Sequence, residues 1–139
     1  MTPNAYTLVP IGYVQSPLRD PATAPKQGGE GAPAAWLVFN GTMRDGLRDL
    51  QVGDEVLVLT WLDRSHRDVL SGHPRDDPAR ARCGVFSTRS ADRPNPIGLH
   101  RVRIIASVDG LRFQVQPLEA VDQSPILDVK PVLEGVPEG

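Results

Sequence analysis

The sequence predicts an all-β chain: a compact, β-barrel-like single domain over residues 1–139, with long loops and little helix. Three observations predict it. Runs rich in Val, Ile, Leu and Thr recur between Pro- and Gly-rich breaks, and no stretch holds a helical period. Asp109-Gly110 stands between two β-rich runs, where it suits the hairpin turn that matches strand twist. With strands dominant and no helices to cover a sheet, closure or near closure is the simplest way to hide its edges.

Each element follows from local chemistry. Tyr6–Val14 reads as a short opening edge strand bent by Pro10 and Gly12, because proline cannot donate to a ladder. Gln15–Pro33 carries four prolines and three glycines and reads as a long loop, of a size that in a small domain is functional or disordered. Ala35–Gly41 reads as a strand, and Met43–Leu50 offers at most one helical turn. Val52–Asp63 is the clearest strand: a Gly-Asp turn leads into a run apolar on both faces, which makes it central and buried. A polar excursion follows from Arg64 to Arg82, and Cys83–Arg89 resumes a strand. Ile97–Val108 and Leu111–Leu118 pair around Asp109-Gly110, with Arg101, Arg103 and Ile105 on one face and Val102, Ile104 and Ala106 on the other. Ser124–Leu133 is a last short strand closing on Pro131.

Composition narrows the function classes. A chain of 139 residues with 40% hydrophobic content supports one modest core. No apolar run approaches the roughly 20 residues that span a bilayer, and the N-terminus lacks a charged start followed by an apolar core, so a cytoplasmic protein with no membrane partner is expected. Cys83 is the single cysteine and reads as a half-buried structural thiol. Net charge is −2, yet Arg64–Arg103 holds nine arginines against four aspartates. That stretch suits contact with phosphate or another anion, or is simply a solvated arginine-rich surface. Asp63, His66, His73 and Cys83 are metal-ligand types, but their spacing matches no compact motif, and no metal is expected.

The stretch "STRSADRPNPIGLHRV" (Ser87–Val102) is the most unusual. Residues before proline are pushed out of the helical region, so Arg93 and Asn95 are extended and Arg93–Pro96 forms a rigid rod. Pro94 and Pro96 donate no amide hydrogen, which leaves carbonyls, the amides of Asn95 and Ile97, and the asparagine side chain for binding. Gly98 permits a close backbone approach that any side chain would obstruct. Arg89 and Arg93 flank the rod with forked donors suited to a carboxylate or phosphate. This reads as a preformed ligand wall, the alternative being a Pro-rich turn between strands with surface arginines.

"IGYVQSPL", "PKQG", "GHPRDDP", "GVFSTRSADRPNPIGLHRV" and "LEAVDQSPILDVKP" together resemble, in sequence and order, the TsaA/TrmO-like family of S-adenosylmethionine-dependent methyltransferases, from about Ile11 to Pro131. The resemblance implies a small β-barrel that binds S-adenosylmethionine, commonly as a homodimer with the cofactor close to the subunit interface. It also implies methyl transfer to the exocyclic N6 of threonylcarbamoyl-adenosine beside the tRNA anticodon, with tRNA as partner. The absence of a Gly-x-Gly-x-x-Gly after a strand agrees with a cofactor site unlike the doubly wound one. Carried over by matching position, Arg89, Arg93, Pro94, Asn95, Pro96, Ile97, Gly98 and Leu99, with Asp122 and Asp128, are expected at the cofactor. Lys26, Gln27, His73, Arg75 and Lys130 are expected toward the substrate. Lys130 is expected to leave on the face opposite Asp128. No catalytic base is assigned, since displacement at the sulfonium methyl asks chiefly for positioning; His73 and Gln27 lie in the two long loops where a substrate-facing group can sit. The family's loop has an arginine where Lys26 stands, and the chain ends at Gly139, so it is expected to lack the C-terminal domain of longer tRNA-modifying members. Two other classes stay open: a small-molecule methyltransferase on the same barrel, and a non-catalytic S-adenosylmethionine-binding module.

Overall fold

The computed structural model describes residues 4–20, 31–74 and 77–135. Eight strands lie among them: β1 (Gly12–Gln15), β2 (Ala35–Phe39), β3 (Glu55–Trp61), β4 (Ser71–Gly72), β5 (Cys83–Gly84), β6 (Ile97–Val108), β7 (Arg112–Gln116) and β8 (Pro125–Pro131). Six of them close into a ring in the order β1-β2-β7-β6-β3-β8, while β4 and β5 pair separately. Every pairing is antiparallel. The described helical content is one turn, α1 (Arg44–Leu47), and short 3₁₀ turns at Gly41–Met43 and Val85–Ser87.

Alternation along the strands builds the core. β2 buries Ala35, Leu37 and Phe39, β7 buries Phe113 and Val115, and β6 buries Gly98, His100, Val102 and Ile104 while its intervening residues face out. Phe39 and Phe113 meet edge to face with ring centroids 5.9 Å apart. β3 lies between β6 and β8, as its two-sided apolar pattern implies, and Leu57 is buried although it points outward. One end of the ring is filled by Leu47 of α1 with Met43 and Leu50 packed beside it, and Leu118 and Ala120 also join the core. The hairpin turn falls at Asp109 (φ 55°) and Gly110 (φ 74°), the left-handed pair that a tight turn of this hand requires.

Two strand expectations are corrected. The opening strand is not an edge: it begins at Gly12, after Pro10, and pairs with β2 on one side and β8 on the other. Gly12 is needed there because a Cβ would stand 2.3 Å from the Val38 carbonyl oxygen. Cys83–Arg89 is a strand for two residues only; the Val85 amide bonds the Leu70 carbonyl at 2.9 Å and the chain then turns into the 3₁₀ segment.

On the outer wall, Glu55 accepts from Arg101 Nε at 2.9 Å and from Arg103 Nη2 at 3.1 Å. The hydrogen bond and charge of Arg101 hold the Glu55 carboxyl below its usual range, aided by the charge of Arg103 and opposed by desolvation. A carboxylate with a lowered folded-state pKa stabilises above its unfolded value and loses that contribution as pH falls through the lowered one. Thermal melts of Glu55→Gln and wild type are therefore expected to differ at neutral pH and to converge in acid below the carboxylate range. Phe113→Ala, which empties the centre of the ring, is expected to lower unfolding free energy by about 3–5 kcal/mol in chemical denaturation.

Candidate functional site at one end of the ring

Strict antiparallel alternation sends β1, β3 and β7 toward the same end of the ring, and β2, β6 and β8 start there. The connections from β1 to β2, from β3 to β6 and from β7 to β8 all leave and return at that end. They carry the three groups of residues the sequence singles out: the loop before β2, the Pro-flanked stretch, and Leu118–Ser124.

The stretch from Asp92 to Ile97 is stitched to the exit of β3. Leu62 N–H donates to the Pro96 carbonyl at 2.7 Å, His66 N–H to Asp92 Oδ1 at 2.8 Å, and Arg93 N–H to the His66 carbonyl at 3.0 Å. Arg67 stacks its guanidinium 5.1 Å from the centre of a Trp61 ring, and donates from Nε to the Pro94 carbonyl at 2.7 Å and from Nη2 to Asn95 Oδ1 at 3.0 Å. Arg93 Nη2 donates to the carbonyls of Val85 and Thr88, the latter at 2.8 Å. Prolines remove amide donors, so a loop of this kind is held through its carbonyls, and planar guanidinium groups are the donors that reach them.

The expected site residues divide by position. Pro94 is half-buried, Pro96 buried and Asn95 exposed; the oxygen of Asn95 serves Arg67, and the Nη2 of Arg93 serves the loop's own carbonyls. Arg89 is exposed and makes no hydrogen bond or ion pair with any described residue. Ile97 and Leu99 face outward, 40% and 39% exposed. Gly98 faces inward, and its close approach is to the protein itself: a Cβ there would lie 2.6 Å from both His100 Nε2 and Thr60 Oγ1. Asp122 clasps the exit of β1, with Oδ1 accepting from Ser16 N–H at 2.9 Å and Oδ2 3.7 Å from Arg19. Asp128 lies on the outer wall across β3 from Leu99, both being opposite Leu59. Lys130 is not on the opposite face: residues two apart in a strand share a face, and its Nζ is 3.0 Å from Asp128 Oδ2. His73 donates from Nδ1 to the Arg80 carbonyl at 2.8 Å. Lys26, Gln27 and Arg75 lie outside the described residues. The structure thus gathers Arg93–Gly98 and Asp122 at one end, and sets Leu99 and Asp128 in one row on the wall below it.

Sequence reasoning missed two features here. Arg67 entered only as part of a charge total, since nothing in its spacing marks a partner 27 positions away. His100 was legible by parity, because it shares the inward face of Val102 and Ile104. Among the described residues no group of three or more His, Cys, Asp or Glu gathers to hold a metal ion.

Residues 13–136 match the model of the tRNA-methyltransferase O N-terminal domain. The chain belongs to that family. An S-adenosyl-L-methionine-binding protein of Archaeoglobus fulgidus is 38% identical over 123 residues, covering 88% of this chain and 86% of that protein. A probable S-adenosyl-L-methionine-binding protein of Methanothermobacter thermautotrophicus is 36% identical over 127 residues, covering 91% of this chain and 90% of that one. A second, probable, S-adenosyl-L-methionine-binding protein of Archaeoglobus fulgidus is 37% identical over 121 residues, and the match spans only 32% of its length. The crystal structure of TrmO from Pseudomonas aeruginosa superposes with a TM-score of 0.72 at 23% identity, over 98% of this chain and 61% of that chain. The family fold is therefore the ring described above, and the chain spans under two thirds of that solved structure.

Because Arg67 and Arg93 tie the Pro-flanked stretch to its neighbours, their loss is expected to reach folding. Arg67→Ala and Arg93→Ala should each lower unfolding free energy by about 1–2 kcal/mol, and Arg67→Lys should recover little of it, since an ammonium gives up the planar fork. Urea denaturation of the three variants measures this.

Proposed function

We propose that this protein is an S-adenosylmethionine-dependent methyltransferase acting on the N6 of threonylcarbamoyl-adenosine beside the tRNA anticodon. In this reading the 139 residues form one domain, working as a homodimer in the cytoplasm. The observation that carries it is the convergence of the Pro-flanked stretch and the Asp122 turn at one end of a ring shared with a family of tRNA methyltransferases. The naming of archaeal relatives for S-adenosyl-L-methionine binding supports the cofactor. No helix among the described residues is long and apolar enough to cross a membrane.

The donor set fits this cofactor. Arg89, with its guanidinium unengaged by described residues, suits the carboxylate; Asp122 and Asp128 accept from the ammonium or ribose hydroxyls; Ile97 and Leu99 offer apolar wall to the adenine. Bound there, S-adenosylmethionine supplies a methyl group already activated on a sulfonium, so the displacement needs neither metal nor nucleophilic side chain. The chain's own residues are left with orientation. Arg67 and Arg93 hold the Pro94–Pro96 turn rigid before any ligand arrives, which reduces the ordering cost of binding.

Transfer of labelled methyl to bulk tRNA from cells lacking this protein, followed by nucleoside analysis, tests the reading. Label on threonylcarbamoyl-adenosine is expected, with an affinity for tRNA that falls steeply as salt rises. Cofactor binding without label would move the protein to a small-molecule acceptor or to a binding module. Arg89→Ala is expected to weaken cofactor binding about tenfold while shifting folding stability by no more than about 0.5 kcal/mol, as for an exposed side chain with no internal partner.

A further inference from the structure

A chain of three polar side chains lies beneath the same end of the ring, with Thr60 and His100 buried and Glu119 half-buried. His100, 4% exposed, meets Glu119 Oε1 through Nδ1 at 2.6 Å and Thr60 Oγ1 through Nε2 at 2.7 Å. A carboxylate only accepts, so Nδ1 carries hydrogen toward Glu119; in the neutral ring Nε2 then accepts from the Thr60 hydroxyl, which is fully buried. Thr60 is opposite Gly98 in the β3–β6 register, and the hydroxyl and imidazole occupy the space a side chain at 98 would need. Three segments meet at this point: the exit of β3, the entry of β6, and the segment between β7 and β8.

That last segment lacks a ladder at this level. β7 ends at Gln116 opposite Arg103, so Ile97–Val102 extend beyond it. The amides of Leu118, Asp122 and Gln123 donate to the carbonyls of Pro33, Leu18 and Val14, which ties the segment to the β1 side of the ring. Besides core packing, the His100–Glu119 hydrogen bond ties it to β6. Leu118 and Ala120 flank Glu119 and are buried, so the carboxylate is carried inward by packing that it did not itself create.

We propose that Glu119, His100 and Thr60 form a positioning lock that fixes the Asp122 turn relative to the Pro94–Gly98 turn, and that cofactor affinity depends on it. None of the three touches the ligand in this scheme; they are positioning residues. The dependence on affinity rests on the function proposed above, whereas the lock itself does not. A hydrogen-bond chain centred on a buried imidazole suits this role because a missing member leaves the His100 ring, 4% exposed, without one of its partners.

The test uses the full chain, with Thr60→Val, Thr60→Ser and Glu119→Ala against Val102→Ala, an inward core substitution outside the lock. Amide hydrogen exchange in ligand-free protein reads the lock. Exchange at Asp122, Gln123 and Ser124 is expected to accelerate about tenfold in Thr60→Val and Glu119→Ala relative to Val102→Ala, with Thr60→Ser close to wild type. Equal exchange in lock and core variants would overturn the lock. Calorimetric titration with S-adenosylmethionine reads the consequence: affinity should fall about tenfold in the lock variants and less than about twofold in Val102→Ala. Unchanged affinity in lock variants, with wild type binding, would overturn the coupling. Failure of wild type to bind would instead overturn the function proposed above and leave the exchange result to decide the lock. If Thr60→Val does not fold, Glu119→Ala and Thr60→Ser decide both arms.

Discussion

Closure of six antiparallel strands into one ring is the constraint from which the functional end follows. In such a ring neighbouring strands alternate in direction, so three exits and three entries are forced to each end. The β2–β3 connection, with α1 and its flanking turns, and the Asp109-Gly110 hairpin occupy one end. The other three connections occupy the opposite end. No side chain chooses this arrangement; it is a property of how the strands pair, and it brings together residues as far apart in the chain as Ser16, Pro94 and Asp122.

The arginine-rich stretch takes on a different meaning once its partners are known. Arg67 and Arg93 are turned to loop carbonyls, Arg103 shares Glu55 with Arg101, Arg82 reaches Ser71, and Arg64 donates to the Arg19 carbonyl. Much of the local positive charge thus serves the protein's own backbone and one acidic neighbour. A count of charges along the chain overstates what is offered to an outside anion, because a guanidinium satisfied within the fold must give up those bonds to bind elsewhere. Arg89, exposed and without a described partner, is the clearest exception.

Rigidity at this end has two sources that act on different sides. From outside, Arg67 spans Trp61, Pro94 and Asn95. From inside, His100 spans Thr60 and Glu119 under Gly98. The glycine belongs to the second source: its missing side chain makes room for an imidazole and a hydroxyl, and the Pro-flanked turn rests on them. A loop that is stiff by covalent geometry alone would still swing as a body; bonds to β3 on one side and to the Asp122 segment on the other fix where it stands.

The sequence by itself determined the strand-rich, closed or nearly closed sheet, the central place of β3, the one helical turn within Met43–Leu50, the hairpin at Asp109-Gly110 and the stiffness of Arg93–Pro96. Each of these is set by local propensity, by side-chain alternation, or by proline and glycine geometry, which act over a few residues. Tertiary structure decided the rest. Whether the first strand is an edge depends on what β8 does more than a hundred residues later, where Gly12 meets Ile126. The use of Gly98 beside Thr60 and the reach of Arg67 to Pro94 and Asn95 depend on partners that are distant in the chain, whereas Arg93 and the Asp128–Lys130 pair find theirs within eight residues. Hydrogen-bond partners of long polar side chains are set by distance in space, and sequence separation carries almost no information about that distance.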